Sequence, residues 1–163
     1  MLLKRPPLVN GEIYHIVLRA VDPLNLFRNE KDYFRFIHDL FEFNDKNPAP
    51  SNFRHHLVKT ELPITFIGNM KREALIEILA FCLMPNHIHL LVRQTRDGGI
   101  SKFMRKLGVG YSHYHNQKYR RTGHLFQGRY RIVHITNDNQ LKAVFVYIHT
   151  NSIAIIFPHW KER

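Results

Sequence analysis

Two apolar runs, Leu75 to Met84 (LIEILAFCLM) and His87 to Val92 (HIHLLV), are separated only by Pro85-Asn86. A Pro-Asn pair turns the chain, so the two runs are expected to pair as a hairpin. On a strand, alternate side chains share a face. His87 and His89 therefore project together, and Ile88 points into a core. Two imidazoles one strand repeat apart can hold a single divalent cation. A strand that merely carries two exposed histidines has the same pattern, so His-Ile-His alone leaves both readings open.

The hairpin sits inside a longer alternation of elements. Ile13 to Val21 is β-branched and apolar and ends at Asp22-Pro23, which reads as a first strand. Asn29 can cap a helix from Glu30 to about Phe43, with Tyr33, Phe34, Ile37, Leu40 and Phe41 at helical spacing. Residues 44–51 form a break rich in Asn and Pro. Residues 52–72 fit either an extended excursion or a small insertion, and the chain is expected to be one domain over 1–163 with a possible insertion at 44–73. Ser101 can cap a long helix through about Tyr119, with Phe103, Leu107, Tyr111 and Tyr114 along one side. A loop with two glycines follows, then an alternating strand from Arg129 to Ile135. Asn137 or Asp138 caps a last helix through about Asn151. The order β-α-β-β-α-β-α predicts an α+β fold, an antiparallel sheet with helices packed against it.

Charge narrows the partners. Lys and Arg number 24 against 13 Asp and Glu, a formal net charge of +11. Such a balance favours polyanions, nucleic acid first. An anionic membrane surface is the second candidate, but no lysine-rich amphipathic helix is present to lie on one. No apolar run is long enough to span a bilayer, and the N-terminus is too short and interrupted for a signal peptide. A soluble, cytoplasmic protein is expected. The single cysteine, Cys82, leaves no internal disulfide and no cysteine zinc cluster.

The positive charge is not spread evenly. From Gly98 to Asn137 there is no Asp or Glu, while Lys102, Arg105, Lys106, Lys118, Arg120, Arg121, Arg129 and Arg131 fall in that stretch. Cations neutralise phosphates, and exposed aromatics can stack on unpaired bases. Phe103, Leu107 and Tyr111 are expected to be a core stripe. The basic residues, above all Arg120 and Arg121, are expected to meet DNA.

A second constellation lies on the last helix, Tyr147-Ile148-His149-Thr150-Asn151. Tyr147 and Asn151 are four apart and share a helical face. Asn can offer a carbonyl oxygen to a cation, and Tyr can offer a nucleophilic oxygen beside it. A core tyrosine near a helix end, with Asn as the cap, is the plainer reading of the same residues. Tyr111 and His115 are also four apart on a helix, as are Tyr114 and Lys118, so other tyrosines compete for the nucleophile's place.

Taken together, three segments resemble one family. Met84-Pro85-Asn86-His87-Ile88-His89-Leu90-Leu91-Val92 resembles the His-hydrophobic-His (HUH) motif of single-tyrosine transposases. The closest likeness is to REP-associated tyrosine transposases and IS200-like transposases. Arg121 to Arg129 (RTGHLFQGR) looks like the family's segment between its long helix and the next strand, and Tyr147 to Asn151 looks like its nucleophile helix. The likeness runs from about Gly11 to Asn151. It implies a ferredoxin-like HUH endonuclease core and a homodimer. It also implies Mg²⁺ or Mn²⁺ held by His87, His89 and Asn151, with Tyr147 as nucleophile. The implied reaction is nicking and strand transfer on single-stranded DNA at hairpins, through a 5′-phosphotyrosine link. Lys102, Arg105, Lys118, Arg120, Arg121, Arg129 and Arg131 are the expected DNA contacts. Two departures stand out: Ser152 where relatives usually carry proline after the ligand Asn, and a chain that stops at Arg163 where many continue. They leave open a catalytically inactive nucleic-acid-binding protein derived from the same family. A hydrolase that uses water and forms no covalent link is a third reading.

Overall fold

The computed structural model describes residues 5–47 and 72–156, so the segment left open at 52–71 and the tail beyond Ile156 lie outside the described residues. Within them the order is β1 (Ile13–Arg19), α1 (Glu30–Glu42), β2 (Ile76–Met84), β3 (His87–Gln94), α2 (Gly99–Lys118), β4 (Arg131–Ile135) and α3 (Asp138–Ile156). The four strands form one sheet in the order β2-β3-β1-β4, and every pairing is antiparallel. This is the α+β architecture that the alternation of elements predicts.

The sheet is covered on both faces. Tyr14, Ile16, Leu18, Ile88, Leu90 and Val92 face a large core closed by α1 and α2 through Phe36, Leu40, Phe103, Leu107 and Tyr111. The opposite face carries a smaller cluster of Cys82, Leu91, Ile135 and Ile148, the last from α3. A β-bulge between Ile78 and Ala80 divides β2 between the two clusters. Ile76 and Ile78 pack towards the large core, whereas Ala80, Cys82 and Met84, which continue the same even-numbered positions, pack on the α3 side. One extra residue reverses the alternation, as a bulge must.

Helix ends show where local signals decide and where packing does. Asn29 caps α1, its side chain accepting from the Asp32 amide, and Asn137 accepts from the Gln140 amide at the start of α3. At α2 the expected Ser101 cap is replaced. The helix begins at Gly99 behind Gly98, whose φ is 66°, and Gln94 Oε1, from the end of β3, accepts from the Ile100 amide at 3.3 Å. A Cβ at residue 99 would lie 2.1 Å from the Leu75 carbonyl oxygen. Glycine there lets the helix start against β2, earlier than a serine signal indicates. At the other end of the chain α3 continues past Asn151. Ser152 stands where a proline would interfere, and no glycine or proline intervenes before Pro158.

The buried face of α1 also differs from expectation. Phe36 and Leu40 are buried, but Phe34 is 70% and Phe41 62% exposed. The helix is rotated by a polar hub that apolar periodicity does not register. Fully buried Asp32 accepts from Tyr114 Oη (2.9 Å), Tyr119 Oη (2.6 Å), the Arg28 amide (2.8 Å) and Lys118 Nζ. Burial by itself pushes the Asp32 carboxyl up. Lys118, Tyr119, the Arg28 amide and Tyr114 outweigh it and hold the carboxyl at about 2.

Asp32→Asn removes the charge and leaves Lys118 unmatched, which should cost about 3 kcal/mol or more at neutral pH. The folded carboxyl titrates below its ordinary value of 3.8, so its contribution is complete above that pH and is lost as pH falls towards 2. Urea unfolding of both proteins over this window should show the wild-type margin shrinking. A margin unchanged from pH 7 to pH 2 would show that the carboxylate does not hold these helices.

Candidate active site

β3 is an inner strand, and its alternation sends Ile88, Leu90 and Val92 into the large core. His87 and His89 consequently emerge on the α3 side, with ring centroids 5.0 Å apart. Tyr147, at the middle of α3, meets His89 edge to face at 5.3 Å. Two imidazoles and one phenol from separate elements are thus brought to one place. Asn151 is half-buried one turn further along the same helix.

The hydrogen bonds of the two histidines leave a common pattern. His87 Nδ1 lies 2.7 Å from Asn86 Oδ1, and His89 Nδ1 lies 3.0 Å from Nε2 of His15 on β1. His89 is only 4% exposed, and its Nε2 is buried with no hydrogen-bond partner among the described residues. A buried nitrogen left open in this way is unusual and calls for a ligand. Burial lowers the His89 pKa to about 4, reinforced by His15, His87 and Arg19; burial and then Arg19 lower that of His87, and burial lowers that of His15. All three rings are therefore neutral at pH 7, the state in which imidazole binds a metal.

These groups open onto a cavity of ≈ 530 Å³ whose remaining polar lining is Arg19, Gln127, Arg129 and Arg131. No carboxylate lines it among the described residues, so the cavity suits an anion. Gln127 and Arg129 arrive on the loop after α2, which is fastened to the end of β1. Leu125 is buried and its carbonyl accepts from the Val21 amide; the Gln127 amide donates to Arg19 O at 2.8 Å. A longer groove runs between this loop and α2, lined by Lys102, Arg105, Ser112 and Asn116 and by residues 123–130. Groove and cavity share Gln127 and Arg129, so the two adjoin and outline a path along this loop.

The expected basic residues are distributed along that path unequally. Arg129 and Arg131 are at the cavity, and Lys102 and Arg105 are in the groove. Arg120 is exposed at φ 50°, and Arg121 donates to Asn116 Oδ1 at 2.7 Å. Lys118 differs from the others. Its three N–H groups meet Asp32, Asn29 and Tyr114, so the ammonium is committed within the fold. His15 and Arg19 are site residues that the motifs do not mark, and Gln127 lies within the Arg121 to Arg129 segment without being singled out there. The strand alternation of β1 places His15 and Arg19 opposite Tyr14, Ile16 and Leu18, but their approach to His89 depends on strand pairing.

Burial also separates the tyrosines. Tyr147 is 48% exposed at the cavity, whereas Tyr111 is fully buried and donates to the Leu26 carbonyl at 2.8 Å. Burial pushes the Tyr111 hydroxyl up, away from any nucleophilic role. Tyr111→Phe should destabilise the fold by about 1 kcal/mol, read by chemical denaturation. It should leave the cavity groups unchanged in their NMR shifts. Perturbed His87 and His89 resonances in that variant would contradict the separation of core from site.

The profile of the family described as IS200-like transposases matches residues 51–151. Two solved structures resemble the chain. One is a REP-associated tyrosine transposase bound to a REP hairpin, 14% identical, with a TM-score of 0.65 over 94% of this chain and 73% of that one. The other is a candidate transposase from Deinococcus radiodurans R1, also 14% identical, with a TM-score of 0.48 over 91% of this chain and 96% of that one. No curated protein sequence matches the chain.

Proposed function

The chain belongs to the IS200-like transposase family, and on that premise we propose that it nicks single-stranded DNA with Tyr147 and transfers the strand to a new 3′-hydroxyl. The observation that carries the reading is the open, buried Nε2 of His89 beside Tyr147 in an arginine-rimmed cavity. Among the described residues no three His, Cys, Asp or Glu side chains form a metal-holding group. Asn151, on the Tyr147 face of α3, is the third ligand proposed. His87, His89 and Asn151 would hold Mg²⁺ or Mn²⁺. The neutral donors and the absence of a cavity carboxylate fit a cation that is also shared with a phosphate. Such an ion supplies positive charge against a phosphate oxygen as the transition state forms.

The protein's own groups have definite tasks in this scheme. Arg129 and Arg131, with Arg19, receive the phosphate and offset its charge. The Tyr147 oxygen attacks phosphorus, forming a 5′-phosphotyrosine bond and breaking the bond to the departing 3′-oxygen, which gains a proton. A second DNA 3′-hydroxyl reverses the exchange. One phosphodiester replaces another, so no nucleotide cofactor is needed. The groove with Lys102 and Arg105 is the proposed DNA path, with Arg120 and Arg121 at its flank. The hairpin bound in the structural neighbour supports a DNA hairpin as the recognised element. Homodimer formation belongs to the same proposal.

Incubation of labelled hairpin DNA with Mn²⁺, followed by a denaturing gel, should reveal a covalent adduct. Tyr147→Phe should bind the hairpin and Mn²⁺ but give at least a hundredfold less adduct, on the order of losing a nucleophile. His87→Ala should lose both metal and adduct. Absence of any wild-type adduct would favour the non-catalytic DNA-binding reading, and hydrolysis without adduct would favour the water-using one.

Replacing Lys102 and Arg105 with Ala should weaken binding to all single-stranded sequences alike. It should also reduce the slope of log K against log salt by about 1.4, at roughly 0.7 per phosphate contact. An unchanged slope would place the DNA elsewhere.

A further inference from the structure

His15 has no place in the three motifs, yet it makes the only side-chain hydrogen bond of His89 among the described residues. The two nitrogens are 3.0 Å apart, the planes within 15° and the centroids 5.2 Å apart. Rings this close at their nitrogens, this nearly parallel and this far apart at their centres meet edge to edge. The bond therefore lies near both ring planes, where an imidazole N–H or lone pair points.

A neutral imidazole carries one N–H and one lone pair. Only one hydrogen fits between the two nitrogens, which leaves two arrangements. If His15 donates, His89 must carry its proton on Nε2, where the nitrogen is buried and finds no acceptor among the described residues. If His89 donates from Nδ1, its Nε2 carries a bare lone pair and no hydrogen is left without an acceptor. His87 supplies a parallel: Asn86 Oδ1 can only accept, so His87 donates from Nδ1 and its Nε2 also carries the lone pair.

We propose that His15 is a positioning residue that accepts from His89 Nδ1–H, fixing the tautomer and ring orientation in which His89 Nε2 faces a divalent cation. This rests on the metal reading given above. Each ligand histidine then has an outer partner, Asn86 for His87 and His15 for His89, as metal-binding imidazoles generally do. His15 carries its own proton on Nδ1. β1 thereby contributes to the site without touching the cation.

The test uses the full chain. In metal-free, ¹⁵N-labelled protein at neutral pH, long-range ¹H–¹⁵N NMR should show His89 protonated at Nδ1. Calorimetric titration with Mn²⁺ should show affinity falling about 10- to 100-fold in His15→Phe, which keeps a ring but offers no acceptor. His15→Gln, whose Oε1 can accept, should recover most of that loss. Thermal unfolding checks that both variants are folded, and the wild-type tautomer is read independently of either. Mn²⁺ binding by wild type with His89 protonated at Nε2 would overturn this inference alone. So would undiminished affinity in His15→Phe, or a Gln variant as weak as the Phe variant. Failure of wild type to bind Mn²⁺ at all would overturn the metal reading and this inference with it.

Discussion

Strand β3 is enclosed on both faces, and this burial governs what its side chains can be. Ile88, Leu90 and Val92 are inaccessible on one side; Leu91 is inaccessible on the other, with His89 nearly so. A buried polar group is costly unless it is hydrogen-bonded. His87 and His89 meet that condition at Nδ1 only, through Asn86 and His15. Burial thus keeps the imidazoles neutral and leaves His89 Nε2 without a partner among the described residues. The same alternation that builds the core aims the site.

The two layers of helices divide the remaining work. On one side the Asp32 hub joins α1 to α2, drawing in Tyr114, Tyr119 and Lys118 and sealing Tyr111 beneath them. Those aromatics hold the fold together. On the other side α3 rests on Ile148 and leaves Tyr147 at the edge of its contact with the sheet. Tyrosines of identical chemistry differ in exposure because one layer excludes the cavity and the other borders it. Lys118 shows the same principle for charge: a cation paired inside the fold is not available to a phosphate, whatever its neighbours in sequence.

The loop between α2 and β4 links the cavity to the groove. Buried Leu125 and two backbone bonds to the end of β1 fasten it, so Gln127 and Arg129 serve both the cavity and the groove. Basic side chains run from the groove to the histidines, with Asp97 the one carboxylate lining the groove among the described residues, and the resulting positive field suits a phosphate chain. Among the described residues no helix is long and apolar enough to cross a membrane.

Local chemistry made much of this legible in the sequence. A Pro-Asn turn between apolar runs determined the β2–β3 hairpin; strand period determined that His87 and His89 share a face; Asn29 and Asn137 marked helix starts; helical spacing placed Asn151 on the Tyr147 face. Each of these depends on residues within a few positions of one another. Tertiary structure alone decided the rest. The bulge near Leu79 reversed the faces of β2, the Asp32 hub rotated α1, Leu75 allowed α2 to begin at Gly99, and antiparallel pairing brought His15 to His89. All four depend on contacts between segments far apart in the chain. Periodicity describes which side chains point together along one element, but not which element they will meet. His15 looks like an ordinary outward strand residue until β1 is set beside β3, with Val17 opposite His89. That register follows from packing both faces of the sheet at once.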